Sequence, residues 1–418
     1  MHPASPTEVT ILGVGIIGIM SGLQLLERGV AVTFIDRHEP GDREQTSYGN
    51  AGSISIGNMM PMGKPGFIKE GAGMLIDPLA PLMLPIQYWH RSVPWVAKVC
   101  ATSSERNALA TAHAIGDLNL VSAAAWRKTV ADLKLGDLVQ ATGWLKLYES
   151  EASFAKTRLE QQLMTELGIA YEVLDREQIC DREPDIAPVF YGGLCQTESL
   201  AITNPGKLMK RLCAAALSRG AIFKKADVLA IERQADGYRL ELTGGPHECA
   251  TVLLSAGAWS QRLLEPLGYH IPLETERGYH LMFDSAASLS GPVINMDRYI
   301  ALCPMGPNIR MTSCVELAGL DQPADYNRIT KLAGVAQNFL PKLGNDVTDR
   351  WMGYRPSLPD SRPVIGKASR DPGLFLAFGN GHLGMTQGAG TGQLIAELIC
   401  TGKTSLDLQA YSPVRFNA

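Results

Sequence analysis

Apolar and polar positions along the chain switch repeatedly between the spacing of a strand and that of a helix. Short, nearly continuous apolar runs at 10–12 and 32–35 predict buried strands, and alternation at 238–242 predicts a half-exposed strand. Apolar positions three and four apart over 107–135 predict a long amphipathic helix. Because segments of both kinds alternate along the chain, the sequence predicts an α/β fold.

Further segments extend this pattern to the carboxyl end. Helices are expected at 205–219, 329–340 and 388–400, and strands at 144–148, 221–223, 228–233, 251–256, 273–283, 299–314 and 374–378. We expect the buried strand that ends at 256 to return the chain to its first domain. The two long stretches that follow it are expected to belong to a second sheet.

The first strand runs directly into a glycine-rich turn of the dinucleotide-binding type. Gly13 permits a tight turn, Gly15 lets a pyrophosphate approach the backbone, and Gly18 lets the next helix pack closely on the strand. Asp36 ends the second strand, where a carboxylate can hold the two hydroxyls of a ribose. The amino end of the intervening helix then faces the phosphates. These features predict a dinucleotide site.

A second glycine-rich turn follows the last predicted strand. It spans 379–384 but lacks a downstream strand that ends in an acid, so it does not predict a second dinucleotide. We expect one cofactor held at both ends of the chain, with the helix amino end near 383–388 facing its redox ring. A flavin gains negative charge when it accepts hydride, whereas a nicotinamide loses its positive charge. The helix dipole therefore favours a flavin.

Composition and charge narrow the class of protein. The 418 residues, 45% hydrophobic and 19% charged, are expected to form two domains of a soluble globular protein. A net charge of −4 with dispersed Lys and Arg argues against a nucleic-acid partner. Eight cysteines without a CxxC motif argue against a metal site and a disulfide framework. Together with an amino terminus that does not resemble a leader, they favour the cytoplasm.

An apolar segment at 74–95 is interrupted by four prolines and is too broken to cross a bilayer. It suits a surface flap, and two interpretations stay open. Its side chains pack on their own protein, or they make a peripheral contact with the inner membrane or a partner subunit.

Several motifs spread along the chain together resemble those of a known flavoprotein family. Beside the first glycine turn, they are Ser-x-x-Asn-Ala-Gly from Ser47, Ala-Gly-Ala-Trp-Ser from Ala256, Arg-Pro-x-x-Pro-Asp from Arg355, and Gly-x-Gly-His-x-Gly-Met-Thr from Gly379. On these motifs the chain resembles the FAD-dependent D-amino acid oxidase superfamily, and within it the bacterial D-amino acid dehydrogenase and D-hydroxyproline dehydrogenase branch. The motifs are specific for the superfamily and much less so for the substrate.

The resemblance implies a fold and a mode of cofactor attachment. A discontinuous Rossmann-type FAD-binding domain is expected over 1–82, 196–265 and 348–418, and a substrate domain with a mixed β-sheet and helices over 83–195 and 266–347. Asp36 stands where relatives usually carry Glu, which keeps the carboxylate. Some relatives tether flavin through a cysteine near Arg355, but residues 351–366 contain none, so noncovalent FAD is implied.

The motifs and the resemblance together assign the cofactor contacts. These residues are Gly13, Gly15, Ile16, Ile17, Gly18, Asp36, Arg37, Ser47, Asn50, Ala51, Gly52, Ser53, Val228, Ala256, Gly257, Trp259, Gly381, His382, Leu383, Gly384, Met385 and Thr386. Met385 and Thr386 are expected to act through their backbone N–H groups. No metal ligand is predicted.

Four side chains are candidates for the substrate side of the flavin. Arg355 matches the position at which the superfamily anchors the substrate carboxylate, and a planar guanidinium can do so with two parallel hydrogen bonds. Tyr279 and His280 lie on a strand that passes over the active site in this family, and alternation directs only one of them into the pocket. His382 could hydrogen-bond the ring or the substrate.

The implied reaction is oxidation of a small amino or imino acid, such as a D-amino acid, D-proline or D-hydroxyproline. Hydride would pass from Cα to flavin N5 and give an imine, with no dedicated base because the amine lone pair drives the transfer. Two alternatives stay open: the flavin subunit of a heteromeric amino-acid or opine-type dehydrogenase, and an oxidase of glycine- or sarcosine-like amines. The sequence leaves the handedness of the substrate and the electron acceptor, oxygen or a quinone, undecided.

Overall fold

The computed structural model describes residues 6–418, which form strands and helices in alternation. The strands are β1 Glu8–Leu12, β2 Ala31–Asp36, β3 Ser53–Ile54, β4 Leu82–Met83, β5 Val139–Gln140, β6 Trp144–Tyr148, β7 Glu172–Asp175, β8 Gly192–Gln196, β9 Leu200–Ile202, β10 Ile222–Lys225, β11 Val228–Gln234, β12 Gly237–Leu242, β13 His247–Cys249, β14 Val252–Leu254, β15 Glu274–Asp284, β16 Val293–Asn295, β17 Ile300–Met305, β18 Asn308–Leu317, β19 Val347–Ser357, β20 Val364–Lys367 and β21 Leu374–Phe378. The helices are α1 Ile16–Glu27, α2 Phe67–Ile76, α3 Trp89–Thr102, α4 Glu105–Asp132, α5 Glu151–Ala155, α6 Arg158–Glu166, α7 Arg176–Arg182, α8 Pro205–Ser218, α9 Ser260–Leu264, α10 Asn327–Phe339 and α11 Gly384–Thr401.

The first sheet has the strand order β10-β2-β1-β14-β21-β20. Its first five strands run parallel, and β20 pairs antiparallel with β21. Val9, Ile11 and Phe34 of this sheet belong to one buried cluster with Leu208 of α8 and Leu394 of α11. Strands that are covered by helices are mostly apolar, which is why 10–12 and 32–35 are nearly continuous apolar runs interrupted only by the buried Thr10 and Thr33.

The second sheet is mixed and carries its own core. Its order is β19-β15-β18-β17-β16-β6-β8-β7, and β4 adds to β18. Most neighbours pair antiparallel, whereas β16 pairs parallel with β6. Leu281 and Met311 of this sheet pack with Leu332 and Phe339 of α10. The predicted α/β fold with a Rossmann-type sheet and a mixed sheet is confirmed.

The hydrophobic pattern predicted most helices and strands correctly, but the observed elements begin and end a few residues from the predicted positions. The helix expected at 107–135 spans Glu105–Asp132, and the one expected at 388–400 begins at Gly384. The long strand expected at 299–314 is instead two antiparallel strands, β17 and β18, joined by a turn in which Gly306 has φ +65°. That turn was missed because apolar residues continue on both sides of it.

The predicted domain boundaries stay a prediction, and two elements pack in the domain to which these boundaries did not assign them. Helix α4, expected in the substrate domain, packs against α11 and contributes Leu118 and Trp126 to the core of the first sheet. Strand β19, expected almost wholly in the FAD-binding domain, is the edge strand of the second sheet.

The segment at 74–95 comprises the end of α2, β4, a short 3-10 turn at Ile86–Tyr88 and the start of α3. Trp95 is buried beside Val99 and Leu317, so part of the segment packs on its own protein. Among residues 6–418, no helix is both long enough and apolar enough to cross a membrane.

Candidate functional site

The first glycine turn has the backbone geometry that its sequence predicts. Gly13 has φ +97°, and a Cβ on Gly18 would lie 2.0 Å from the carbonyl oxygen of Gly13. A Cβ on Gly15 would meet only Ser47 Oγ, at 3.5 Å, so the backbone there is open. Ser47 Oγ also accepts a hydrogen bond from Ile16 N at 3.1 Å. The turn thus offers the exposed N–H groups and helix amino end that bind a pyrophosphate.

Asp36 lies beside this turn and helps to shape it. Its carboxylate accepts hydrogen bonds from Val14 N at 2.7 Å and His38 N at 2.9 Å. Gln45 Nε2 also donates to Asp36 Oδ2, at 3.3 Å. Since each carboxylate oxygen can accept two hydrogen bonds, Oδ1 keeps capacity for a ribose hydroxyl. Next to it, the guanidinium of Arg37 lies 4.1 Å from the ring centroid of Trp259, a cation–π contact.

A single cavity of about 1850 Å³ connects the glycine turn to the second sheet. Gly15 and Asp36 line one part of it, and Tyr279, Arg355 and His382 line another. Typical ligand pockets hold roughly 300–1,000 Å³, so this one has room for a dinucleotide and a small substrate together.

The loop that follows Ser47 is held from the second sheet. Asn50 Oδ1 accepts from Gly52 N at 2.8 Å, which closes the loop on itself. Buried Arg310 donates to the carbonyl oxygens of Asn50, at 2.6 Å, and Tyr48, at 3.2 Å. Burial lowers the pKa of Arg310 to about 10. Sequence analysis missed Arg310, because nothing near it in the chain indicates a contact 260 residues away.

The second glycine turn is a 3-10 turn at Gly381–Leu383 that leads into α11. Helix α4 fixes the start of α11: Trp126 Nε1 donates to the carbonyl oxygen of Met385 at 2.9 Å, and Ser122 Oγ to that of Thr386 at 2.6 Å. Thr386 Oγ1 accepts from Ser55 N at 3.0 Å. The first N–H groups of a helix lack intrahelical partners, so this amino end can stabilise negative charge in the cavity.

Arg355 lies on β19 and is half-buried there, with part of its side chain open to the cavity. Its Nη1 donates to the carbonyl oxygen of Cys314 at 3.1 Å. A Cβ on Gly278 would lie 2.1 Å from Nη2, so the guanidinium lies against backbone that only glycine leaves open. Burial lowers the pKa of Arg355, while Glu276, its partner in the register of β15 and β19, acts to raise it. Glu276 is itself buried, which raises its pKa.

Tyr279 and His280 differ in direction, as expected for adjacent positions of a strand. Tyr279 lines the cavity, but its hydroxyl donates to Glu316 and accepts from Asp325 N at 3.3 Å. His280 instead stacks on Trp351, with ring centroids 5.0 Å apart. Burial lowers the pKa of His280 to about 3. His280 is fully buried against Trp351 and Gly49 and is not among the residues that line the cavity, so the structure does not bring it to the substrate. Its catalytic role stays a prediction.

His382 reaches into the cavity close to two cations. Its side chain is accessible from the cavity although protein surrounds it. Desolvation, together with the charges of Arg355 and Lys146, lowers its pKa to about 4. The imidazole is therefore neutral at pH 7 and can both donate and accept a hydrogen bond.

The remaining predicted cofactor residues fall into two groups. Those that line the cavity are Gly13, Ile16, Ile17, Arg37, Ser47, Asn50, Ala51, Val228, Ala256, Gly257, Trp259, Gly381, Gly384 and Met385. Those that do not line the cavity are Gly18, Gly52, Ser53, Leu383 and Thr386, and all five are buried. The assignment of cofactor contacts stays a prediction residue by residue.

Sequence analysis also missed a buried ion pair on the cavity wall. Lys146 of β6 donates to Glu160 of α6, and both residues line the cavity. Alternation along 144–148 could have placed Lys146 on the same face as Trp144 and Tyr148, which also line it.

A group of side chains with metal-ligand atoms lies near the turn at Asp36. His38, Asp42 and Glu44 place one such atom each within 4.8 Å of one another, at positions open to solvent. Exposed groups of this kind do not make a metal site by themselves, and the prediction that the protein uses no metal stays a prediction.

The open backbone at Gly15, the carboxylate of Asp36 and the two helix amino ends fit FAD, with its pyrophosphate at the first turn. Fold and site thus define a dinucleotide-dependent oxidoreductase. A sequence model of the family described as FAD dependent oxidoreductase (DAO) matches residues 8–398. The chain belongs to this family, as its motifs predicted, and it is an FAD-dependent enzyme.

Individual relatives agree with the family. The chain is similar to a D-amino-acid oxidase of Bradyrhizobium diazoefficiens, with 31% identity over 98% of this chain and 99% of the relative. It is similar to a D-amino acid dehydrogenase of Rhizobium johnstonii, with 29% identity over 98% and 100% of the two chains. The crystal structure of glycine oxidase from Geobacillus kaustophilus shares the fold, with a TM-score of 0.79, 21% identity and coverage of 99% and 100%.

Proposed function

We propose that this protein oxidises a small D-amino or imino acid at Cα and gives an imine. The observation that carries the proposal is Arg355, a half-buried guanidinium on the wall of the cavity that fits FAD. The names of the relatives support the D-configuration. Bound FAD would supply the acceptor for the hydride that leaves Cα.

Arg355 is suited to anchor the substrate carboxylate. One of its five N–H donors is used by the carbonyl oxygen of Cys314, which leaves an edge of the fork for a ligand. A charge-assisted, bidentate contact in a buried site both binds the carboxylate and fixes its orientation. Glu276 compensates the guanidinium when no substrate is bound, because it faces Arg355 across the two strands.

His382 is placed to contact the substrate in its neutral form. Its lowered pKa keeps the ring uncharged at the pH at which the substrate amine begins to lose its proton. A neutral ring beside Arg355 adds no further positive charge and can accept a hydrogen bond from the amine. The amine lone pair drives hydride departure, so the protein contributes orientation and electrostatics rather than a dedicated base.

The same site suits several substrates of the class. D-Proline and D-hydroxyproline share the carboxylate and the Cα hydrogen with the primary D-amino acids, and glycine- and sarcosine-like amines remain the alternative. The acceptor that reoxidises the flavin is oxygen or a quinone. The flavin subunit of a heteromeric amino-acid or opine-type dehydrogenase remains a further alternative.

One anaerobic experiment tests the proposal. Purified protein reconstituted with FAD is mixed with D-amino acids, L-amino acids, D-proline, D-hydroxyproline, glycine and sarcosine, and flavin absorbance is followed. We expect rapid bleaching by D-amino or D-imino acids and slow or no bleaching by their L-enantiomers. Bleaching by L-enantiomers alone, or by none of these compounds, would contradict the proposal.

We further propose that the flap at 74–95 makes a peripheral contact with a membrane. Two of its exposed side chains do not line the cavity: Ile86, 71% exposed, and Trp89, 50% exposed. Exposed Arg91 in the flap, and exposed Lys98 three residues after its end, favour an anionic surface. The flap residue Leu84 lines the cavity, so such a contact would bring the membrane near its opening.

A further inference from the structure

The wall of the substrate cavity contains a buried ion pair that the proposed reaction does not use. The side chains of Lys146 and Glu160 are 4% and 10% exposed, and Lys146 Nζ donates to Glu160 Oε1. Both residues line the cavity that also contains Arg355. Arg355, Lys146 and His382 line this one cavity, and the charges of Arg355 and Lys146 both lower the pKa of His382.

A network behind the pair holds it in place. Gln196 Nε2 donates to Glu160 Oε1 at 3.3 Å. Gln196 Oε1 in turn accepts from Ser55 Oγ at 3.0 Å and from Gly57 N at 3.2 Å. Lys146 and Gln196 thus both donate to Glu160 Oε1. These hydrogen bonds fix the orientation of the ammonium and carboxylate groups before any ligand binds.

A contribution to the free energy of unfolding does not explain why Lys146 and Glu160 are buried together. Buried ion pairs are often no more stabilising than apolar residues of the same volume, because desolvation offsets their attraction. Lys146 has two further N–H donors, and Glu160 Oε2 has no hydrogen-bond partner among residues 6–418. The pair thus presents donors and an acceptor side by side next to the cavity.

We propose that Lys146 and Glu160 bind the side chain of the substrate and select amino acids whose side chain ends in a neutral carboxamide. The carboxamide oxygen would accept from Lys146, and its NH₂ group would donate to Glu160. A substrate with a carboxylate side chain would be repelled by Glu160, and one with a cationic side chain would be repelled by Lys146. An apolar side chain would leave both charged groups without a hydrogen-bond partner in the ligand. This inference rests on the proposed oxidation of amino acids.

The test compares substrates of similar shape. Anaerobic flavin reduction is measured with D-asparagine against D-leucine and D-glutamine against D-methionine, with D-glutamate as the anionic comparison. Rates are fitted for Kd and for the limiting rate of reduction, in wild type, Lys146→Met and the double variant Lys146→Met/Glu160→Met. The double variant leaves no buried charge alone, and thermal melting reports whether each variant folds. Lys342→Met, which breaks an ion pair with Asp185 on the outer surface, is the matched control.

In wild type we expect both carboxamides to be preferred over their apolar partners and over D-glutamate. The preference should fall at least about tenfold in both Lys146 variants, mainly through Kd, while the apolar substrates and the visible flavin spectrum stay nearly unchanged. Lys342→Met should keep the wild-type preference. An unchanged preference, an equal loss for all substrates, or a preference for D-glutamate would overturn the inference and leave the proposed oxidation standing. If only D-proline or D-hydroxyproline reduces the wild-type flavin, this inference fails and the proposed oxidation stands. If neither the D-amino acids nor these imino acids reduce it, the proposed function fails and this inference fails with it.

Discussion

At the scale of single residues, the site depends on buried charges that are placed before the ligand arrives. Arg355 is compensated by Glu276 across two paired strands, and Glu276 Oε1 has no hydrogen-bond partner among the described residues. A half-buried guanidinium that has only one short contact to a carbonyl oxygen retains much of its capacity to bind an anion. The substrate carboxylate would complete this arrangement.

Replacing Arg355 by Ala should therefore damage substrate use and spare the cofactor. We expect kcat/KM to fall by about 10²–10⁴-fold, since a charge-assisted pair in a buried site is lost, with FAD still bound. Steady-state kinetics and the flavin absorbance of the purified variant measure the two effects. Arg362→Ala, in the same segment but paired with Asp360, is the control and should keep substrate affinity. Loss of FAD from Arg355→Ala without a change in substrate affinity would contradict the assignment.

His280 should make the protein less stable in acid. Its pKa is about 3 in the folded state and about 6.5 in an unfolded chain, so between these values the unfolded state binds the additional proton. The free energy of unfolding should therefore fall as the pH drops below about 6.5, by up to about 1.4 kcal/mol per pH unit from this group.

Chemical denaturation from pH 7 to pH 4 measures this slope. His280→Phe keeps a ring against Trp351 and removes the titrating group, so its slope should be shallower than that of wild type. His90→Gln, at an exposed position, should keep the wild-type slope. A slope that His280→Phe leaves unchanged would show that other groups set the acid response.

At the scale of elements, Gly15 and Gly18 of the first glycine turn meet different requirements. Gly15 begins α1 with φ −75°, which any residue can adopt, and its missing Cβ leaves space for a ligand. Gly18 lies one turn into α1, where a Cβ would overlap the backbone of Gly13. The lack of a side chain at Gly15 leaves space for the cofactor, whereas at Gly18 it allows the helix to pack on the turn.

A matched pair of variants separates these roles. Gly15→Ala should fold with a Tm near that of wild type and bind FAD at least about tenfold more weakly, because its methyl occupies the space beside the pyrophosphate. Gly18→Ala should lower the free energy of unfolding of the apoprotein by about 1–3 kcal/mol, as overpacking does. Thermal melting of the apoproteins and FAD titration measure both. Equal melting temperatures for the two apoproteins would contradict the distinction.

The elements that the sequence predicted are those with local signals. The strand, turn and helix around Gly13 follow from apolar runs and glycine spacing, and Arg355 followed from its motif. Arg310 and Lys146 could not be predicted in the same way, since their contacts with Asn50 and Glu160 depend on how β18 and β6 pack on distant segments. Likewise, the small residues of α4 gave no sign that this helix supports the amino end of α11.

At the scale of the whole molecule, the cavity lies where the two sheets meet, and the flap at 74–95 borders it. Part of the flap packs inward through Trp95, while Ile86 and Trp89 point to solvent. A short segment with some apolar side chains in the core and others exposed to solvent is suited to bind the surface of a membrane without crossing it.

The peripheral contact predicts binding to lipid vesicles. Protein reconstituted with FAD should sediment with vesicles of anionic phospholipid and less with neutral ones. Ile86→Ser/Trp89→Ser should abolish sedimentation, since burial of each side chain contributes about 1.5–3 kcal/mol. Val414→Ser, at an exposed position remote in sequence, is the control and should behave as wild type. Sedimentation that the double variant retains would contradict a contact through the flap.

The central claim is that one FAD lies between the two glycine turns with Arg355 on its substrate side. A crystal structure of the FAD-loaded protein with benzoate, a carboxylate that cannot be oxidised at Cα, tests it most directly. We predict the pyrophosphate at Gly15, the flavin ring beside the amino end of α11, and the benzoate carboxylate about 2.9 Å from the guanidinium of Arg355. A flavin ring remote from Arg355, or a carboxylate held elsewhere in the cavity, would contradict the account.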